Sequence, residues 1–261
     1  MSRAGTISSA ANPLVKDIRR AIERGAPTSG GYCIAEGFHL LDEALRSGVA
    51  RQVLVSESAA AAVGARLAGQ ETLPLSILPD RLFQTISATE TSQGVVVLVE
   101  PRQWMLDDLF RGATLVVVLD GVQDPGNAGA IVRAAEAFGA TAVVFGRGSV
   151  SPFNPKTLRG SAGSLFRMPF VHGIEAAEVA AACDQRGVKR FAAMPSDDRA
   201  PRDLTGPCAL IIGSEAHGVS EALRTGATPI TIPTEGVESL NAAMAAGILL
   251  YEARRQRSVC P

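Results

Sequence analysis

The sequence predicts an α/β protein of two domains in series, the second organised on a parallel sheet. Three observations lead there. Short aliphatic runs alternate with segments of helical periodicity along most of the chain, the alternation that builds layered α/β folds. Leu115 to Leu119 is aliphatic at every position, which suits a strand buried on both faces. Glu100-Pro101-Arg102-Gln103 interrupts the alternation between the apolar run Val95 to Val99 and that strand. The expected division is residues 1–100, a linker over 101–113 with a short helix from Trp104 to Phe110, and a second domain over 114–261.

Asn12-Pro13 reads as an N-cap followed by the first helical residue, with Leu14, Ile18 and Ile22 on one face. Arg24-Gly25-Ala26-Pro27 ends that helix. Tyr32 to Ala35 is a short strand, and Glu36-Gly37-Phe38-His39 leads into a helix bearing Leu40, Leu41, Ala44 and Leu45. A strand from Gln52 to Val55 precedes an alanine-rich helix through Leu67. Leu75 to Leu78 is a strand, with a short helix after Pro79. In the second half, strands are expected at Leu115 to Leu119, Val143 to Phe145, Arg190 to Ala193, Ala209 to Ile212 and Pro229 to Ile232, with helices between. A last helix should start at Leu240 behind a Ser239 cap, and its run Ala242, Ala243, Ala245, Ala246, Gly247 allows very close approach of another backbone.

Composition narrows the function classes. With 261 residues, 46% hydrophobic and 20% charged, the chain can bury one large or two ordinary cores. It has no apolar run of membrane-spanning length, so no membrane role is expected, and Met1-Ser2-Arg3-Ala4-Gly5 lacks a signal-peptide core. Cys33, Cys183, Cys208 and Cys260 lie far apart without ligand spacing; no metal is expected, and reduced thiols in a cytoplasmic protein are the default. The net charge of −1 neither suggests nor excludes a nucleic-acid partner. A basic face could come from Lys16, Arg19, Arg20 and Arg24, or from Arg147, Lys156, Arg159 and Arg167; solvated surface is the plainer reading of both groups.

Three loops in the second half concentrate the unusual residues. The first, Asp120-Gly121-Val122-Gln123-Asp124-Pro125-Gly126-Asn127-Ala128-Gly129, carries Asn127 at a helix entrance and Arg133 beyond it, an N-x-G-x-x-x-R pattern. It is not G-x-G-x-x-G, and no acidic residue ends a following strand, so a dinucleotide site is disfavoured. The second, Gly213-Ser214-Glu215-Ala216-His217-Gly218, follows an aliphatic strand; Gly213 would let a ligand touch backbone, and His217 reads as an exposed loop residue without a nucleophile to serve. The third runs from Ile230 through Pro233, Gly236 and Glu238 to Ser239-Leu240-Asn241.

Together and in this order, the three loops resemble the motifs of the SpoU (TrmH-type) family of RNA ribose 2′-O-methyltransferases, within the SPOUT superfamily. Lys156-Thr157-Leu158-Arg159-Gly160-Ser161-Ala162-Gly163-Ser164-Leu165-Phe166 is similar to that family's basic, small-residue segment. Asn12-Pro13-Leu14-Val15-Lys16, Glu36-Gly37 and Gln93-Gly94-Val95 resemble the substrate-binding domain that often precedes it, whose fold is like that of certain ribosomal RNA-binding proteins. The resemblance implies a C-terminal parallel-sheet domain closed by a trefoil knot, S-adenosylmethionine as cofactor, RNA as substrate and a homodimer. It implies ribosomal RNA as the target, with transfer RNA, or a non-catalytic role in RNA binding or ribosome assembly, as the alternatives. By motif position, Gly213, Ile232 and Leu240 would contact the cofactor, and Arg133, Asn127, Glu215, Ser239 and Asn241 would form the catalytic set. Ser214 stands where an Asn is frequent in the family.

Overall fold

The computed structural model describes residues 5–70, 72–194, 203–237 and 239–259; Glu238 and Cys260 fall outside them. The chain divides into two compact units. The first contains β1 (Gly5–Thr6), α1 (Pro13–Arg24), β2 (Cys33–Glu36), α2 (Phe38–Arg46), β3 (Ala50–Ser56), α3 (Ala60–Arg66), β4 (Leu75–Leu78), α4 (Asp80–Phe83) and β5 (Val95–Val99). The second opens with β6 (Leu115–Asp120), α5 (Pro125–Ala137) and β7 (Ala142–Gly146). The chain then contributes α6 (Pro155–Gly160) to the first unit and continues in the second with β8 (Phe170–Ile174), α7 (Ala176–Gln185), β9 (Lys189–Ala193), β10 (Cys208–Gly213), α8 (Glu221–Arg224), β11 (Thr228–Ile230) and α9 (Ala242–Val259).

The first unit is a five-stranded mixed sheet in the order β1-β4-β3-β5-β2. Its helix α1 forms as the sequence requires. Asn12 Oδ1 accepts from the Leu14 N–H at 2.9 Å, Pro13 occupies the first turn, and Gly25 closes the far end in the left-handed region. The buried face is Val15, Ile18 and Ala21, with Leu14 and Ile22 only partly covered, so the apolar stripe is centred beside the one expected. Residues 153–167 belong to this unit, although the sequence reading ran the second domain unbroken from 114 to 261. Arg167 ion-pairs with the buried Glu43 carboxylate, and Gly163 lies so close to Glu43 that a Cβ there would sit 2.6 Å from its Cγ. Arg167 is thereby engaged within the fold, and Arg147 is paired with Glu175 in the second unit. Those two basic residues are not bare cations for a ligand, whereas Lys156 and Arg159 are exposed.

One buried acid organises a whole loop of the first unit. Glu36, 7% exposed at the end of β2, accepts from Ser87 Oγ, Thr89 Oγ1 and Ser92 Oγ at 2.7, 2.8 and 2.7 Å and from the Ala88 N–H at 2.7 Å. Charge-assisted bonds of this kind are about twice as strong as neutral ones and leave no buried oxygen unsatisfied.

The second unit is a parallel sheet in the order β11-β9-β10-β6-β7-β8. Every residue of β6 and β7 is buried, as the unbroken aliphatic runs predict. The thiols of Cys183 and Cys208 are buried here, as Cys33 is in the first unit; burial pushes Cys33 up to about 12 and Cys183 up to about 11, which keeps both protonated at neutral pH. At its C-terminal end α9 is stapled by Arg257, whose guanidinium donates to the carbonyls of Leu204, Ala113, Thr114 and Gly206 at 2.9, 3.2, 3.0 and 2.6 Å. Its planar fork reaches chain on the N-terminal side of both β6 and β10, which an ammonium could not match.

Replacing Glu36 by Gln should weaken the first unit by about 1–3 kcal/mol, because one side-chain oxygen cannot serve both sets of donors. Urea unfolding of Glu36→Gln against the parent measures this; equal midpoints would show that the carboxylate is not what holds the 87–92 loop.

Candidate active site

In open parallel sheets, ligands sit beyond the C-terminal strand ends, where neighbouring strands send their chains in opposite directions. Here that point lies between β6 and β10. From β6 the chain moves outward to β7 and β8, while β9 and β11 lie on the other side of β10. The two strands are in register to their last residues, Asp120 opposite Gly213, so the first and second motif loops leave the sheet side by side. Asp120 ties them together: it is 8% exposed, and its Oδ2 accepts from the Ser220 N–H at 2.6 Å.

Local sequence shapes each loop. Asp124, not Asn127, caps α5: its Oδ1 accepts from the Asn127 N–H at 2.6 Å, with Pro125 at the first helical position. Asn127 therefore sits in the first turn with its side chain free for other work. In the second loop, Ser214 and Gly218 exchange backbone hydrogen bonds at 3.2 and 2.9 Å, folding the segment back over Gly213. A Cβ on Gly213 would lie 2.2 Å from the Gly218 carbonyl carbon. Glycine is needed at 213 to clear the loop's own backbone, not only a ligand.

The third segment differs most from expectation. Helix α9 starts at Ala242, and its cap is Asn241 rather than Ser239. Asn241 Oδ1 accepts from the N–H groups of Ala243 and Met244 at 2.9 and 3.2 Å, the N2 and N3 positions an N-cap serves. The sequence reading placed the cap at Ser239; Asn241, two residues on, holds the helix. Strand β11 likewise ends at Ile230, leaving Ile232 outside the sheet.

The cap fixes a directional chain of hydrogen bonds. With its oxygen turned to the helix, Asn241 must present Nδ2 outward, and this donates to Asn127 Oδ1 at 2.9 Å. Asn127 must then donate its own Nδ2, which reaches Glu215 Oε1 at 2.6 Å. Three of the five residues proposed as catalytic, one from each motif, are thus joined.

Beside this chain lies a cavity of about 450 Å3. Gly213, Ile232 and Leu240, the three expected cofactor contacts, all line it, together with Met194, Ala245 and Leu249. Glu215, His217 and Ser239 contribute polar groups, and all three are exposed. Arg133 is not brought in: it is exposed on α5, makes no hydrogen bond or ion pair among the described residues, and does not line the cavity. It lies six residues beyond Asn127, about 9 Å along the helix and about 120° around it. The sequence reading missed Ala193 and Met194, which wall the cavity from the end of β9; Met194 is anchored by its N–H to Ile230 O at 2.9 Å and by Thr231 Oγ1 at 3.0 Å. The signal was available, since strands of a parallel sheet deliver their C-terminal ends to one edge.

Comparison with known proteins meets this geometry. Residues 114–251 match the SpoU rRNA Methylase family. The chain belongs to that family. Residues 12–97 match the MRM3-like substrate binding domain. Among curated SpoU relatives, the Bacillus subtilis 23S rRNA (guanosine(2553)-2′-O)-methyltransferase RlmP is 33% identical over 95% of this chain and 98% of its own. An AdoMet-bound rRNA methyltransferase from Sinorhizobium meliloti is 30% identical over 97% of this chain and 98% of its own, with a TM-score of 0.82. The SpoU methyltransferase AviRb from Streptomyces viridochromogenes, in complex with AdoMet, is 29% identical over 95% and 99%, with a TM-score of 0.84.

The polarity of the hydrogen-bond chain is testable. Asn241→Asp keeps the acceptor that caps α9 but removes the donor to Asn127. Thermal stability should change by less than about 1 kcal/mol, while the Asn127 side-chain amide, whose oxygen then faces a carboxylate oxygen, should turn or shift against Glu215 and move its resonances. Unchanged Asn127 resonances would contradict the chain's direction.

Proposed function

We infer that this protein transfers a methyl group from S-adenosylmethionine to a ribose 2′-hydroxyl of ribosomal RNA. The observation that carries this reading is the joining of all three SpoU motif loops through Asn127, Glu215 and Asn241, beside a cavity that the second and third loops line. The cavity suits the donor chemically. Ile232, Leu240 and Leu249 offer apolar walls to an adenine ring, and Glu215 and Ser239 offer polar groups to a ribose or an amino-acid end. When bound, S-adenosylmethionine supplies a methyl group already made electrophilic by its sulfonium, so the protein's task is alignment and removal of one proton.

Ile232 and Leu240 hold the adenine, and Gly213 supplies backbone at the cavity wall. Asn127, Glu215 and Asn241 fix the three loops relative to one another, and Ser239 supports them from the cavity rim. Arg133 clamps the substrate phosphate and stabilises the alkoxide that develops as the hydroxyl loses its proton. A guanidinium with a pKa above ~12 serves as a clamp better than as a base. The first domain, residues 1–100, grips the RNA, in keeping with its match to a substrate binding domain.

The segment after β11 closes the second domain as a trefoil knot, and the working unit is a cytoplasmic homodimer with RNA lying across both subunits. Support for the dimer lies on α9. Met244, Ile248 and Tyr251 are 57%, 40% and 56% exposed at positions i, i+4 and i+7, an apolar stripe on one helix face. Ala243 and Gly247 beside it are half-buried, and a Cβ at Gly247 would meet nothing within 4 Å, which leaves room for a partner's close approach. Among the described residues no helix is long and apolar enough to cross a membrane.

Mapping 2′-O-methyl sites across total RNA with and without this protein should reveal one ribosomal site that depends on it; an unchanged map sinks the reading. Arg133→Ala should abolish methyl transfer while leaving S-adenosylmethionine affinity by calorimetry within about twofold, and Arg133→Lys should fail as well, because a point charge does not reproduce a planar fork. For the dimer, Ile248→Glu should convert a sedimenting dimer to monomer at micromolar concentration. A parent protein that sediments as a monomer and still methylates would remove the dimer as a requirement.

A further inference from the structure

A second cavity, also about 450 Å3, lies wholly within the first unit, and methyl transfer makes no use of it. Phe38 at the start of α2, Ser58 and Ala62 around α3, Asp80 at the start of α4, and Gln93-Gly94 before β5 form its walls.

Four features show that this cavity is built. The Glu36 carboxylate holds the loop that leads into Gln93. Gln93 Oε1 accepts from the Phe38 N–H at 2.9 Å, which joins two walls and turns the amide nitrogen outward as a donor. Gly94 has φ +74, and a Cβ there would lie 2.3 Å from Ser56 Oγ, so only glycine closes this corner. Asp80 Oδ1 accepts from the Ser58 N–H at 3.0 Å and its Oγ at 2.9 Å, which fixes the carboxylate and holds it below its usual pKa range.

The chemistry of the walls selects an occupant. Neither Lys nor Arg lines the cavity, and an ionised Asp80 does, so a phosphate would be repelled. An aromatic ring, an acceptor-only carboxylate and an amide donor instead suit a flat, uncharged group that has N–H donors beside an acceptor. A nucleobase is such a group, but only when its pairing edge is free. Arg66, paired with Asp42 at 3.5 Å, lies over the Phe38 ring at 4.3 Å and helps to hold that aromatic wall in place.

We propose that this cavity receives one unpaired nucleobase of the RNA substrate, with Phe38 as its aromatic wall and Asp80 and Gln93 as its polar readers. The proposal rests on the reading that the substrate is RNA, and it adds a recognition subsite remote in sequence from the methylating motifs.

The test uses the full chain and RNA hairpins that carry one bulged nucleotide, each of the four bases in turn, against the same hairpin fully paired. Fluorescence anisotropy should show at least one bulged hairpin binding about tenfold tighter than the paired one, the scale of a base stacked on an aromatic side chain. Phe38→Leu should erase that preference and leave paired-hairpin affinity unchanged. Ala62→Trp, at an exposed helical position, should do the same by filling the cavity without disturbing the core. With 4-thiouridine at the bulge, photo-crosslinks should map to the peptides holding Phe38 or Gln93. Equal affinity for all hairpins, a preference that survives both variants, or crosslinks confined to the second unit would each overturn the proposal. Loss of the ribosomal methylation map would instead overturn the function itself, so the two failures are told apart.

Discussion

The arrangement of the second unit depends on one helix, α9, being held at both ends by side chains whose hydrogen-bonding capacity is nearly fully used. Arg257 ties its C-terminal end to four carbonyls. Asn241 ties its N-terminal end to the first motif through Asn127, and Asn127 to the second through Glu215. A single neutral hydrogen bond contributes about 1 kcal/mol net, too little to position a loop alone. The chain works because each amide has only one orientation that satisfies both neighbours. The unpaired amide protons of the helix set the direction, and the Glu215 carboxylate, an obligate acceptor, terminates it. Two ends of fixed polarity leave the middle residues no choice of rotamer, which is how modest bonds produce a rigid site.

The strands were legible because a parallel sheet demands aliphatic residues on both faces, and Leu115 to Leu119 states that demand without ambiguity. The motif loops were legible for a related reason: glycine, proline and capping residues gather where strands end. Less legible were features set by contacts between distant segments. Nothing local distinguishes Ser239 from Asn241 as a cap; the choice follows from Asn127 waiting across the loop to receive the outward amide. Gly213 looked like ligand clearance, yet the atom it would strike belongs to Gly218, five residues on. Residues 153–167 lie in sequence between two strands of the second sheet, but Glu43 and β2 claim them for the first unit, a partition that no composition change announces.

Charge and shape are divided between different parts of the molecule. With a net charge of −1, affinity for RNA cannot come from a general positive field. It must come from local exposed cations, and the fold withdraws some of these: Arg147 and Arg167 are paired with Glu175 and Glu43. An exposed pair such as Arg147–Glu175 adds at most about 1 kcal/mol to stability, so its larger effect is to neutralise a cation that RNA would otherwise meet. What remains is a set of individual exposed cations, Arg133, Lys156 and Arg159 among them, and a first-unit cavity whose walls carry neither Lys nor Arg. Such a surface favours recognition of base and ribose over indiscriminate attraction to phosphate.

Arg133 follows from the same division. The residues that hold the loops are tied on every side, whereas Arg133 is exposed and has no partner among the described residues. An arginine already paired with a carboxylate would arrive at the substrate neutralised, and freeing it would consume much of the attraction it could then offer. Six residues of helix separate it from Asn127, so α5 links the hydrogen-bonded anchor to the free cation through a rigid rod and not a loop. Preorganisation is therefore invested in the backbone that carries Arg133, while its charge stays available. The role proposed for Arg133, aligning a neutral hydroxyl and then stabilising the negative charge emerging on it, needs both properties in one element.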